Sequence, residues 1–193
     1  MSIKAYNRED YNWWSDPAIA SAKIIAPFIL EIFSIKSVLD FGCAQGGWLS
    51  VFYELGIENI KGLDGKWVNT EDLLVPLKSF HCVDLEKYQH LPKEKYDLCI
   101  CLEVAEHLDI KYSDALIANL TNASDIILFS AAVPEQGGQH HVNERPPSFW
   151  QKKFENKGFK QFDFLRDRYW KNDGVAWWYK QNILFYSKVN LSP

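Results

Sequence analysis

A chain of 193 residues that is 47% apolar is long enough for one domain, burying roughly 70% of the surface its unfolded form would expose. Lys and Arg number 21 against 25 Asp and Glu, a formal charge of −4, which argues against nucleic acid or an anionic membrane as the main partner. No run of about 18 apolar residues occurs and the first residues lack a signal-peptide core, so the expectation is a soluble, cytoplasmic chain with a small-molecule or neutral polymer partner.

Residues 1–15 are polar and aromatic without a clear period, with Tyr6, Tyr11, Trp13 and Trp14, and read as a flap. Asp16-Pro17 reads as a helix opening, an N-cap followed by proline at the first helical position. Ile19, Ile24, Ile25, Phe28, Ile29 and Ile32 continue a helical stripe that Pro27 should kink or split.

Strand and helix signals then alternate: strand 37–41, helix 46–55 closed by Gly56, strand 58–63, a short helix near 70–74, strand 79–83, strand 96–101, helix 112–121 and strand 125–130. The strands carry continuous apolar runs, so the expectation is an α/β fold, a doubly wound and mostly parallel sheet with helices on both faces. Residues 132–147 form a polar loop too long for a simple connector. Ser148 can cap a helix reaching Lys157, and strands are expected over Phe159–Leu165 and Asn182–Ser187, flanking a tip with Trp170, Asn172, Asp173, Gly174, Trp177 and Trp178. The four cysteines, Cys43, Cys82, Cys99 and Cys101, form no C-x-x-C pair and are expected to be reduced and mostly buried.

In a doubly wound sheet ligands bind outside the carboxyl ends of the strands, so the residues there are read together. Asp40, Asp64 and Asp84 end the first three strands and Glu103 follows the fourth. Such acids suit hydroxyls, amines and a positive centre better than a pyrophosphate. The turn Gly42-Cys43-Ala44-Gln45-Gly46-Gly47 brings bare backbone and a helix start to the same place.

Taken in order, Val38 to Leu49, Gly62-Leu63-Asp64-Gly65, Val83-Asp84-Leu85-Glu86 and Leu102-Glu103-Val104-Ala105-Glu106-His107-Leu108 resemble the motifs of class I S-adenosylmethionine-dependent methyltransferases. The stretches Phe129 to Pro134, Gln136-Gly137-Gly138, His141-Val142-Asn143-Glu144 and Val175 to Asn182 resemble a narrower bacterial and viral-type subgroup, often linked to glycan or other secondary biosynthesis. Ala44 stands where a glycine is commoner.

The resemblance implies a Rossmann-like, seven-stranded sheet with an antiparallel last strand in a single domain, 1–193. Residues 1–33 would be the flap and helix, 34–131 the cofactor core and 132–193 the acceptor side. It implies that Asp40, Gly42, Cys43, Ala44 and Gly46 line the methionine end of S-adenosylmethionine, and that Asp64 takes the ribose hydroxyls. Asp84 with Leu85 would meet the adenine, and Glu103 with Val104 would lie beside the methionine and sulfonium.

Methyl transfer by in-line displacement needs a held acceptor, and an alcohol acceptor gains from a base. His141, on the carboxyl side of the fifth strand with Asn143 and Glu144 near, is the candidate base, Glu144 its partner; the other reading is a loop that ties itself together. His81 and His90 read as surface or structural residues, and His107 as a structural residue sharing a helix face with Glu103. His140, His141 and Glu144 have the ligand types of a metal site, but nothing else in the chain supports one and no metal is expected. His140, Asn143, Trp170 and Trp178 are candidate acceptor contacts, the aromatics being equally suited to packing. The expected activity is O-methylation of a hydroxyl on a small molecule or glycan. The alternatives are a nicotinamide-dependent oxidoreductase, against which Asp40 counts, and a non-catalytic cofactor-binding partner subunit.

Overall fold

The computed structural model describes residues 8–87 and 93–189, with side chains from Ser15 onward; His90 and the side chains of Tyr6, Tyr11, Trp13 and Trp14 lie outside what is described. Helix α1 (Arg8–Ile32) leads into β1 (Ser37–Phe41), α2 (Gly47–Glu54), β2 (Asn59–Asp64) and β3 (Phe80–Cys82). There follow β4 (Leu98–Leu102), α3 (Ser113–Ala123), β5 (Ile126–Ser130), α4 (Pro147–Glu155), β6 (Lys160–Phe162), α5 (Leu165–Tyr169), α6 (Trp177–Asn182) and β7 (Leu184–Ser187).

The seven strands lie in the order β3-β2-β1-β4-β5-β7-β6, parallel except for β7, which runs against both of its neighbours. Strand order reverses between β1 and β4, so a crevice opens outside their carboxyl ends. Alternate side chains of the central strands enter two cores. Val38, Leu98, Ile100, Leu128 and Phe185 pack with α1, α2, α5 and α6, whereas Leu39, Phe41, Cys99, Cys101, Ile127 and Phe129 pack with α3 and α4. Burial on both faces is why these strands read as unbroken apolar runs.

Three local expectations need correction. The first helix starts at Arg8, not at Asp16, and runs through both Pro17 and Pro27. The missing proline donors are tolerated because one face of the helix is buried through Ala22, Ile25, Ala26 and Ile29. Its polar groups are also used locally. Ser21 Oγ donates to the Pro17 carbonyl at 2.7 Å and accepts from the Ala176 amide at 2.9 Å. The helix assigned to a Ser148 cap begins at Pro147, with no side-chain cap; proline at the first position supplies the start instead. The aromatic tip between the last strands is two short helices, α5 and α6.

Candidate active site

At the crevice lies a cavity of about 730 Å³, within the range of small-molecule sites. Four strand-end features line it. Asp40 of β1 and Asp64 of β2 are both buried, and burial, then the charge of Asp64, pushes the Asp40 carboxyl well above the usual carboxylate range. Asp64 Oδ2 accepts from the Ala44 amide at 2.7 Å and Oδ1 from the Gly65 amide at 2.6 Å. Asp64 therefore braces the glycine turn as well as facing the cavity. Burial raises its pKa while those amides and Trp67 oppose the rise.

The turn itself is shaped by Gly42. Its φ is +83°, and a Cβ there would stand 2.3 Å from Val104 Cγ2, so only glycine lets the turn and Val104 meet. Ala44 holds a left-handed φ of 49°, which explains why glycine is the more comfortable residue at that position. Asp84 is exposed, paired with Lys87 at 2.8 Å and held below the usual range chiefly by that hydrogen bond. Leu85 beside it is buried, and both line the cavity.

Glu103 follows β4 with a φ of 54°, a conformation that non-glycine residues adopt at a cost. Its amide donates to the Ser130 carbonyl and hydroxyl, each at 3.1 Å. Its carboxylate accepts from Asn182 Nδ2 at 3.1 and 3.2 Å and from Gln136 Nε2 at 3.2 Å. Gln136 Oε1 in turn accepts from Asn182 at 2.9 Å and Gln181 at 3.0 Å. This network ties the long loop and α6 to the end of β4.

The long loop also brings in the predicted base. Nδ1 of His141 meets Glu144 Oε1 at 2.8 Å, and Glu144 further accepts the Glu135 amide at 2.9 Å and the Gly137 amide at 2.8 Å. The hydrogen bond to His141 is the main reason the Glu144 carboxyl sits below its ordinary value. The loop holding itself and the ring being oriented are thus one arrangement.

Of the residues singled out in the sequence, Asp40, Gly42, Cys43, Ala44, Asp64, Asp84, Leu85, Glu103, Val104, His141 and Trp178 line the cavity. Gly46, Glu144, His140, Asn143 and Trp170 lie outside that lining. Gly46 starts α2 in a left-handed conformation, and Trp170 is 60% exposed to solvent. Asn143 is buried and consumed: it donates to the Ala105 carbonyl at 3.3 Å and to Ser113 Oγ at 3.2 Å, and accepts from Arg145 at 3.0 Å. It anchors the loop, with both amide hydrogens and its oxygen engaged.

Glu103 and His107 do not share an α-helix, because a single 3-10 turn, Ala105–His107, follows β4. His107 faces the cavity all the same, its ring 4.8 Å from that of His141 at 78°. Burial, then the neighbouring His141, pushes its pKa down to about 4. Sequence reading quoted Glu106 and Gln136 inside motifs but gave them no role in the site, and did not single out Trp67; all three line the cavity, and Glu106 is fully buried with neither carboxylate oxygen hydrogen-bonded among the described residues. The advance signal for Glu106 was its place in the motif from Leu102 to Leu108.

A doubly wound sheet of this strand order, with an acid-lined cleft at its switch point, defines the class I S-adenosylmethionine-dependent methyltransferases. A family model described as a methyltransferase domain matches residues 13–180, and the chain belongs to that family. No curated protein matches by sequence. Among solved structures, Streptomyces venezuelae DesVI superposes with a TM-score of 0.69 at 11% identity, covering 95% of this chain and 99% of that one. Magnesium protoporphyrin IX methyltransferase from Synechocystis, with bound SAH, gives 0.63 at 15% identity over 97% and 90%. An O-methyltransferase family protein from Burkholderia thailandensis gives 0.65 at 9% identity over 96% of this chain. The present chain covers 59% of the length of that protein. At these identities the likeness is one of fold. No helix among the described residues is long and apolar enough to cross a membrane.

Proposed function

We propose that the chain O-methylates a hydroxyl on a small molecule or glycan, with His141, oriented by Glu144, receiving the acceptor's proton. The observation that carries this reading is one cavity lined both by the strand-end acids and by His141. The cradle fits the cofactor: Gly42 leaves no side chain where the turn meets Val104, and Asp40 is a buried acid suited to an ammonium group.

S-adenosylmethionine supplies the methyl group on a sulfonium centre. In this reading Asp40, Gly42, Cys43, Ala44 and Val104 hold the methionine end, with Glu103 beside them. Asp64 takes the ribose hydroxyls, and Leu85 and Asp84 flank the adenine. Trp177 and Trp178, also in the wall, offer flat faces to a ring-bearing acceptor. The His141 ring has its Nδ1 engaged by Glu144, which fixes the tautomer and leaves the other nitrogen for a proton. The chain belongs to a methyltransferase family, which counts against the oxidoreductase alternative.

Calorimetry with S-adenosylhomocysteine, followed by a methyl-transfer screen over alcohols, phenols and sugars, tests the proposal. His141→Ala should leave S-adenosylhomocysteine binding in place and lower methyl transfer by roughly 10²–10⁴-fold. Unchanged turnover in that variant would remove His141 from the chemistry.

A further inference from the structure

Glu106 is the residue that the proposed chemistry leaves unexplained. Its carboxyl is 0% exposed, neither oxygen has a hydrogen-bond partner among the described residues, and it faces the same cavity as His141. An acid taken out of water without a partner is costly, and such groups are normally paired or coordinate a metal. Among the described residues no counter-charge stands beside it: the charged group nearest in effect is the Glu103 carboxylate, and the remaining neighbours able to bind an ion are two imidazoles. His107 follows it in sequence and His141 reaches over from the long loop; each of the three residues can offer one ligand atom, and those atoms lie within 4.8 Å of one another.

We propose that Glu106, His107 and His141 bind one divalent transition-metal ion in the wall of the cavity, placed to hold the acceptor's hydroxyl oxygen. Bonds to such an ion run about 2.0–2.2 Å, so the three side chains close in on it as it binds. Both imidazoles are already held from behind, as metal-bound histidines are. Glu144 takes Nδ1 of His141 at 2.8 Å, and His107 hydrogen-bonds the backbone of His140. The main chain is fastened around the same spot, since the Glu106 carbonyl accepts the Val142 amide at 2.9 Å and the Asn143 amide at 3.0 Å. A loop pinned at that point keeps His141 next to Glu106.

The donor set indicates the kind of ion. One carboxylate oxygen with two imidazole nitrogens favours zinc, iron or manganese over the all-oxygen shells of calcium or magnesium. Three protein ligands leave positions open for a ligand oxygen, as in catalytic sites rather than structural ones. The set differs from the His140, His141 and Glu144 grouping that the sequence offered: Glu144 stands behind His141, and His140 does not line the cavity.

The role assigned to the ion rests on the methyl-transfer reading; the site itself does not. With an ion in place, His141 acts as its ligand, and the ion makes the acceptor hydroxyl more acidic in place of direct proton uptake by the ring. As the methyl–sulfonium bond breaks and the methyl–oxygen bond forms, the hydroxyl proton leaves to water and S-adenosylhomocysteine is released.

The test uses the full chain stripped with a chelator and then titrated with Mn²⁺ and, separately, Zn²⁺. Equilibrium dialysis with metal analysis and the loss of the free Mn²⁺ electron-spin signal are the readouts. One equivalent per chain is expected, weakened at least tenfold in Glu106→Gln and in His107→Asn, the second variant serving if the first does not fold. Absence of stoichiometric metal in the wild-type chain, or variants that bind as tightly as it does, would overturn the site. S-adenosylhomocysteine calorimetry on the stripped wild-type chain separates the two ideas. Cofactor binding without metal binding sinks only the metal site, whereas metal binding without cofactor binding sinks the methyl-transfer reading.

Discussion

The two halves of the cleft are built in different ways. On the cofactor side the groups are placed by strand ends and by backbone: Asp40 and Asp64 sit at the tips of β1 and β2, and the turn between β1 and α2 is shaped by Gly42. On the acceptor side they are placed by side-chain hydrogen bonds, Glu103 to Gln136 and Asn182 across 33 and 79 residues, and His141 to Glu144 within the long loop itself. The first construction is rigid and local. The second depends on a network in which each polar partner covers another.

The comparison makes Gly42 the most sensitive position. Gly42→Ala places a Cβ 2.3 Å from Val104 Cγ2 at a φ of +83°. Overpacking and the left-handed strain together should cost about 2–4 kcal/mol in thermal or denaturant unfolding. A displaced turn should also lower methyl transfer by roughly a hundredfold. Wild-type stability in this variant would mean that the turn is soft, and that the contrast with the acceptor side is false.

Asn182→Ala probes the other half. It strips Glu103 of its Asn182 hydrogen bonds and removes a donor from Gln136, both half-buried groups. A loss of about 1–3 kcal/mol is expected in urea unfolding, the cost of leaving buried polar groups unsatisfied. Hydrogen exchange should quicken in the 132–147 loop and not in β1 or β2. Uniform quickening would show that the two halves are not separable.

Asp40→Asn should move stability and binding in opposite directions. The folded pKa of Asp40 is raised, by burial first and Asp64 second. An acid of that kind is more readily ionised when unfolded, so its contribution falls as pH rises above the unfolded value, until the folded value is passed. At neutral pH, removing the charge should therefore stabilise the ligand-free chain, by about 1 kcal/mol, and flatten its stability-against-pH curve. S-adenosylhomocysteine should bind more weakly. A variant that kept its affinity for S-adenosylhomocysteine would refute the ammonium-binding role.

The smallest effect is expected at Ala44. Glycine would relieve the strain of a φ of 49° but add freedom to the unfolded chain, so Ala44→Gly should change stability by less than about 1 kcal/mol. The Ala44 amide still reaches Asp64, and cofactor affinity should be unchanged in calorimetry.

The same division explains what could be read from the sequence. Strand alternation, the ordering of Asp40, Asp64, Asp84 and Glu103, and the bare turn are local signals, and each of these acids faces the cavity. Asp16-Pro17 misled because a proline after a capping residue opens a helix only when nothing upstream is already helical, and packing carries α1 through it from Arg8. Asn143 looked like an acceptor contact because its partners, Ala105 and Ser113, are 38 and 30 residues away. The burial of Glu106 escaped for the same reason: a loop returns more than thirty residues later to donate two amides to its carbonyl. His107 reads as structural when placed on a helix, and becomes part of the site only when that helix proves to be one 3-10 turn.

The carboxylate of Glu103 is bonded at once to the long loop through Gln136 and to α6 through Asn182, with Gln181 bonded onto Gln136. Mechanically these two walls are one body, and neither swings outward without breaking several hydrogen bonds together.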